Sequence, residues 1–173
     1  MAADASSSID RYAYQVFLSF RGEDTRKHFT DHLYTALINA GIRTFRDDDE
    51  IPRGEDIKSV LINAIQQSRS SLIVMSKDYA SSGWCLDELS KIVERMTTSK
   101  HIVIPVFYDV DPSDVGMQTN CVGVSFKKHE DRIKAETDEE EKKKLKENVE
   151  GWKQSLRKIA DLEGMDLHGQ ADR

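Results

Sequence analysis

Cysteine is scarce in this chain of 173 residues: Cys85 and Cys121 are the two present. Two cysteines cannot build a disulfide framework, and they lack the paired spacing of a zinc site, so the expected setting is a reducing one. Proline, at 3 residues, and glycine, at 9, are too few for a collagen-like or low-complexity chain. No long hydrophobic run exists. The longest, Ile102 to Tyr108, is interrupted by Pro105, whereas a spanning helix needs about 20 apolar residues. The first ten residues, ending Ser6-Ser7-Ser8-Ile9-Asp10, hold no apolar signal core, and Ala2 stands where myristoylation needs glycine. The chain is therefore read as soluble and intracellular. Positive charge is also in deficit, 25 Lys and Arg against 31 Asp and Glu, for a net charge of −6. That disfavours a broad phosphate-neutralising surface and leaves only a local basic patch open.

What is present suits a globular domain: 38% hydrophobic and 32% charged residues. A domain of about 150 residues buries about two-thirds of its unfolded surface and needs no covalent staples. The expected boundaries are a disordered tail at 1–11, a folded domain at 12–165 and a frayed tail at 166–173.

Strand-like apolar runs alternate with helical stripes. Tyr14 to Phe20 reads as a buried strand. Asp24 or Thr25 is a plausible N-cap for a helix carrying Phe29, Leu33, Ala36, Leu37 and Ala40, with Gly41 as its stop. Ile42 to Phe45 is a second strand, and Ile57, Val60, Leu61, Ala64 and Ile65 form the next stripe. Ser71 to Met75 is a third strand, Leu86, Leu89, Val93 and Met96 a third helix, and Ile102 to Tyr108 a fourth strand. Parallel strands need crossover helices, so this alternation predicts an α/β fold with a parallel sheet of flavodoxin-like order 2-1-3-4-5 and helices on both faces. In the last third, Thr137 with Glu140 reads as a capping box, and Glu139/Lys143 and Glu140/Lys144 as pairs on a solvated helix face. Trp152, Leu156, Ile159 and Leu162 supply an apolar stripe, so the final helix is expected to dock from about Val149 onward.

Several common chemistries are absent. There is no phosphate-binding GxxxxGK[ST] loop, no GxGxxG after the first strand and no GxSxG elbow. His28 and His32 lie four apart, but Phe29 stands where a zinc protease needs Glu and no third ligand is evident, so no metal is expected. A phosphoacceptor receiver would want Asp at the end of the third strand, where Met75-Ser76 stand. The acidic run Asp47-Asp48-Asp49-Glu50 follows the second strand instead and reads as a loop.

Four segments carry a family resemblance. They are Tyr14 to Arg26, Gly41 to Asp48 with Arg53-Gly54-Glu55, Tyr79 to Leu89, and Pro105 to Val115. Together they resemble the TIR (Toll/interleukin-1 receptor) domain of plant intracellular immune receptors over roughly residues 12–165. The resemblance implies a cytoplasmic or nucleocytoplasmic domain that self-associates and cleaves NAD⁺ at the nicotinamide–ribose bond. NAD⁺ or NADP⁺ is then substrate, and no cofactor is required. The nucleotide products would reach downstream immune regulators and promote defence and cell death.

Within that resemblance, the motif Trp84-Cys85-Leu86-Asp87-Glu88-Leu89 makes Glu88 the catalytic residue. One carboxylate suits the chemistry. Breaking an N-glycosidic bond builds oxocarbenium character on the ribose, and an ionised carboxylate stabilises it. Nicotinamide leaves a cationic ring as a neutral molecule and needs no general acid. Glu88 lies about one turn into its helix, near the positive end of the dipole, although acidic residues are common there for structural reasons alone. The loop Arg21-Gly22-Glu23-Asp24-Thr25-Arg26 leaves the carboxyl end of a strand and is implied to line the nucleotide site, with Gly54 and Trp84. Arg21 suits anionic oxygens, or else an ion pair with Glu23 or the acidic loop. Trp84 either shapes the pocket or packs. Cys85 has no evident histidine partner and is not read as a nucleophile.

The resemblance also implies association surfaces, one at Asp31-His32 on the first helix and one pairing the segment after Pro112 with the last helix around Gly151-Trp152. The loop Asp47 to Gly54 would contact a neighbouring copy. Some positions depart from the family pattern. Gly116-Met117 replaces a basic pair, Thr119-Asn120-Cys121-Val122-Gly123 replaces a more usual Thr-Gly-Ser-Phe-Gly, and Gly83 replaces a common basic residue. None of these touches Glu88; they bear on assembly. Two other readings stay open here: a non-catalytic homotypic adaptor, and a nucleic-acid-acting cyclic-nucleotide synthetase using the Lys142, Lys143, Lys144 and Lys146 stripe.

Overall fold

A computed structural model describes residues 12–22, 29–46, 56–162 and 164–166. The strands are β1 (Tyr14–Ser19), β2 (Thr44–Arg46), β3 (Ser68–Met75), β4 (Ile102–Phe107) and β5 (Met165–Asp166). They form one sheet in the order β2-β1-β3-β4-β5, with every neighbouring pair parallel. That is the order expected from the alternation of strands and helices. Register is set by paired apolar residues, such as Phe17 opposite Phe45 and Val74 opposite Val106. The helices are α1 (Asp31–Asn39), α2 (Ile57–Gln66), α3 (Gly83–Ser99), α4 (Pro112–Met117), α5 (Asn120–Ala135) and α6 (Glu139–Ala160). A short 3₁₀ turn spans Tyr79–Ser81.

Side chains alternate across a strand, so neighbouring residues feed opposite cores. Phe17, Phe45, Ile73, Met75 and Phe107 belong to a large core shared with α2, α3, α5 and α6. Leu18, Phe20 and Val74 face the other way into a small core with Phe29, Leu33, Tyr34 and Tyr108. Helices lie on both faces, but unequally. On the small-core side α1 has no buried residue, and Ala36 and Ala40, expected in its apolar stripe, are exposed.

Several boundaries differ from expectation. β3 begins at Ser68 rather than Ser71, because Tyr14 and Val16 pair with Ser68 and Ser70. The N-cap of α6 is Asp138, whose carboxylate accepts the Glu140 amide at 3.0 Å; Thr137 lies one residue outside. Lys144 pairs with Glu141 at 3.5 Å, not with Glu140. Asp166, assigned to the frayed tail, pairs with Phe107 in β5. The rest of that tail and the tail at 1–11 lie outside the described residues. α5 has no counterpart in the sequence reading, although Val122, Phe126, His129 and Ile133 form its buried stripe. Among the described residues, no helix is long and apolar enough to cross a membrane.

Candidate functional site

The site gathers at the carboxyl ends of β1 and β3, where open α/β sheets place their ligands. β1 ends on Ser19, which is fully buried. β3 ends on Met75, and the chain then turns through Tyr79 into α3. Ser82 caps α3, its side chain accepting the Cys85 amide at 3.2 Å. That cap fixes where the helix begins and so which way each later residue points. Cys85, Leu86 and Leu89 turn into the core, and Glu88 turns toward β1.

Glu88 is 6% exposed. A carboxylate so buried is costly unless hydrogen-bonded. Ser19 Oγ donates to Glu88 Oε2 at 2.9 Å. Ser19 Oγ also lies 2.8 Å from the Tyr79 hydroxyl. With the single Ser19 hydrogen directed at Glu88, Tyr79 is the donor in that contact. The Cys85 carbonyl, 3.2 Å from the same hydroxyl, is the weaker arm of a shared bond. Glu88 is the sixth residue of α3, past the first turn where the helix dipole acts most strongly.

Glu88 borders a cavity of about 130 Å³ between α2 and α3. Leu61, Ile62 and Ile65 form its apolar wall on α2, while Trp84, Asp87 and Lys91 stand on α3 and Lys58 on α2. Trp84 is 44% exposed, so it presents an aromatic face beside the carboxylate instead of packing in the core. Asp87 accepts the indole N–H of Trp152 at 3.0 Å. The volume is below the roughly 300–1,000 Å³ of a complete small-molecule site.

Of the other residues singled out in the sequence, Arg21 and Gly22 follow β1 directly. Arg21 Nη1 donates to the Asp78 carbonyl at 3.0 Å, which ties the β1 loop to the turn after β3. Glu23, Asp24, Thr25, Arg26 and Gly54 lie outside the described residues, as does His28. Cys85 is buried, with its thiol 3.6 Å from the Phe20 carbonyl. On α1, Asp31 and His32 are exposed, and Asp31 accepts Arg46 Nη1 at 2.9 Å. Gly151 is exposed. Trp152 is not: at 7% exposure it points inward, so its assignment to an association surface is corrected. The apolar stripe with Leu156 and Ile159 decides its orientation. Ser19, Tyr79, Asp87, Lys58 and Lys91 carry no role in the sequence reading. Ser19, Tyr79 and Asp87 stood inside recognisable segments, and nothing local marks Ser19 and Tyr79 as partners of Glu88.

A family model for the TIR domain matches residues 13–173. The chain is 45% identical over 160 residues to TMV resistance protein N of Nicotiana glutinosa, covering 92% of this chain and 13% of that protein. It is 47% identical over 167 residues to disease resistance protein RPV1 of Vitis rotundifolia, covering 96% of this chain and 11% of that one. It thus spans a small fraction of the length of these relatives. Among solved structures, the TIR domains of the activated Roq1 resistosome, which directly recognizes the pathogen effector XopQ, align with a TM-score of 0.79 and 48% identity, covering 92% of this chain and 91% of that one. The TIR domain of the Toll-related receptor TRR-2 of Hydra magnipapillata aligns with a TM-score of 0.50 and 26% identity, covering 57% and 74%. A match along nearly the whole folded region, reproduced in sequence and in shape, places the chain in the TIR domain family, alongside the TIR domains of plant disease resistance proteins.

Proposed function

We propose that this domain cleaves NAD⁺, or NADP⁺, at the nicotinamide–ribose bond, with Glu88 as the catalytic carboxylate. The observation that carries the reading is a buried carboxylate, held by Ser19 at the end of β1, opening beside an exposed Trp84 onto a cleft between α2 and α3. In the reaction the bond between ribose C1′ and the ring nitrogen breaks. The electron pair leaves with nicotinamide and neutralises the ring. Positive charge develops on the ribose, and the fixed negative charge of Glu88 stabilises it with no reorganisation at the moment of reaction. Water adds to C1′ and its proton passes to solvent. Trp84 offers an aromatic face to a planar ring. Arg21, Gly22, Glu23, Asp24, Thr25, Arg26 and Gly54 are proposed to complete the nucleotide site, and Lys58 and Lys91 supply positive charge beside the cleft.

Self-association is part of the proposal. Asp31 and His32 on α1, and the α4–α6 surface near Gly151, are the proposed contacts between copies. The plant relatives are disease resistance proteins, and the Roq1 neighbour is an assembled resistosome, so the proposed setting is cytoplasmic immune signalling through nucleotide products. The lysine stripe on α6 is flanked by Glu139, Glu140 and Glu141 on one side and Glu147 on the other, which argues against nucleic acid as the main partner.

The test is nicotinamide release from NAD⁺ by concentrated protein, with Glu88→Gln in parallel. Release that depends on Glu88 and rises faster than linearly with protein concentration is the expected result. No release at concentrations where association is independently measured overturns the enzyme reading and leaves a non-catalytic adaptor.

A further inference from the structure

Trp152 stands on the long final helix, yet two separate routes run from its ring to the site. On one side its Nε1 donates to Asp87 Oδ1 at 3.0 Å, and Asp87 is the residue before Glu88 and lines the same cavity. On the other its ring meets the His129 ring edge-on, with centroids 5.0 Å apart. His129 Nε2 donates to the Ala80 carbonyl at 2.8 Å, which fixes its tautomer and holds the 3₁₀ turn. Tyr79 of that turn lies 2.8 Å from Ser19, and Ser19 donates to Glu88. The two routes close a ring around the carboxylate.

We infer that Trp152 is a positioning residue for Glu88, acting directly on Asp87 and, through His129 and the Tyr79 turn, on the Ser19 hydroxyl that holds the carboxylate. The inference rests on the proposed role of Glu88 in cleavage. An indole buried only for packing needs some acceptor for its N–H, and any backbone carbonyl would serve. Here the acceptor is a carboxylate lining the cavity. The ring also lies over the start of α3, where a Cβ on Gly83 would meet Trp152 Cη2 at 3.5 Å. Trp152 therefore touches both the first and second turns of the helix that carries Trp84, Asp87 and Glu88.

The placement links the site to the α4–α6 surface. Gln118 Nε2 donates to the carbonyl of Lys153, the neighbour of Trp152, at 3.4 Å. One turn beyond the buried Leu156, Ala160 Cβ lies 3.0 Å from where a Gly116 Cβ would stand. A partner that shifts α6 against α4 moves the residue that braces Glu88.

The test uses Trp152→Phe, Asp87→Ala and the double variant of the full chain, assayed at protein concentrations where association is saturated. Phenylalanine keeps the ring contacts and loses only the N–H. The expected result is a fall in kcat of about tenfold with KM within twofold, the size one hydrogen bond can supply. In the Asp87→Ala background the same substitution has less than a twofold further effect. The second readout is the titration of the Glu88 side-chain carboxyl, followed by ¹³C NMR, which moves in Trp152→Phe whether or not the protein turns over NAD⁺. An unchanged kcat together with an unchanged Glu88 titration in folded Trp152→Phe overturns the inference, as do effects that simply multiply in the double variant. If the wild type releases no nicotinamide, the proposed function fails on its own, and the titration alone decides the positioning role.

Discussion

Ser19 and Glu88, 69 positions apart in the chain, share a buried 2.9 Å hydrogen bond that joins the end of the first strand to the second turn of α3. The bond exists because β1 and β3 are neighbours in a parallel sheet, which brings the residue ending one strand beside the helix that follows the other. Removing the hydroxyl leaves a buried carboxylate short of a donor. Ser19→Ala is therefore expected to lose about 1–3 kcal/mol of folding stability, the usual cost of removing one partner of a buried hydrogen bond, and to lower nicotinamide release about tenfold. Urea unfolding and a release assay check the two effects separately.

Lys58 and Lys91 flank the cleft with exposed ammonium groups. Lys91 also pairs with Glu94 at 3.3 Å, but an exposed pair of this kind contributes little to stability. On the proposed function, Lys58→Ala and Lys91→Ala should each raise KM for NAD⁺ several-fold with kcat nearly unchanged, the signature of charges that would attract substrate phosphates equally in ground and transition states. Steady-state kinetics at two ionic strengths check this, the difference shrinking at the higher one.

His101 is 5% exposed, and its Nε2 lies 2.7 Å from Ser71 Oγ. Burial, with the nearby Arg95 charge, pushes its pKa down to about 4, against a weaker opposing contact from the Ser68 backbone. The folded protein thus holds His101 neutral while the unfolded chain protonates it near its ordinary value of 6.5. Between these values the unfolded state binds more protons, so stability falls as pH drops through that window. The loss by pH 5 is on the order of 1–2 kcal/mol. Urea midpoints measured from pH 7 to pH 4.5 should show this slope in the wild type and a shallower one in His101→Gln.

Gly164 precedes β5, and a Cβ there would stand 2.5 Å from the Pro105 carbonyl oxygen and 3.2 Å from Phe107. A backbone oxygen cannot yield as the tip of a flexible side chain can. Gly164→Ala is expected to separate β5 from β4, with faster amide exchange at Met165 and Asp166 and a lower melting temperature.

The alternation of strands and helices was legible because the apolar runs are compact and their spacing changes period cleanly between elements. α5 was not, because Val122, Phe126, His129 and Ile133 are diluted by Lys127, Lys128, Glu130 and Asp131, and its stripe includes a buried histidine that reads as polar. β5 was not, because two residues make no pattern. Glu88 was reachable through its motif; its partners Ser19 and Tyr79 were not, since they meet it only once strand order is known. At Trp152 two readings of one residue competed. The stripe with Leu156 and Ile159 indicated burial, the family resemblance indicated an association surface, and the structure follows the stripe.

The Ser82 cap has a consequence for how this sequence tolerates change. A helix advances about 100° per residue, so the cap acts as the zero mark of a dial on which Glu88 is read six steps later. Substitution between Ser82 and Glu88 leaves the dial setting intact. Deletion of one residue there swings the carboxylate a quarter-turn or more away from Ser19 and carries Leu89 toward its place, and insertion swings it the other way and brings the residue before it there. The length of that interval is therefore more constrained than the identity of several residues within it.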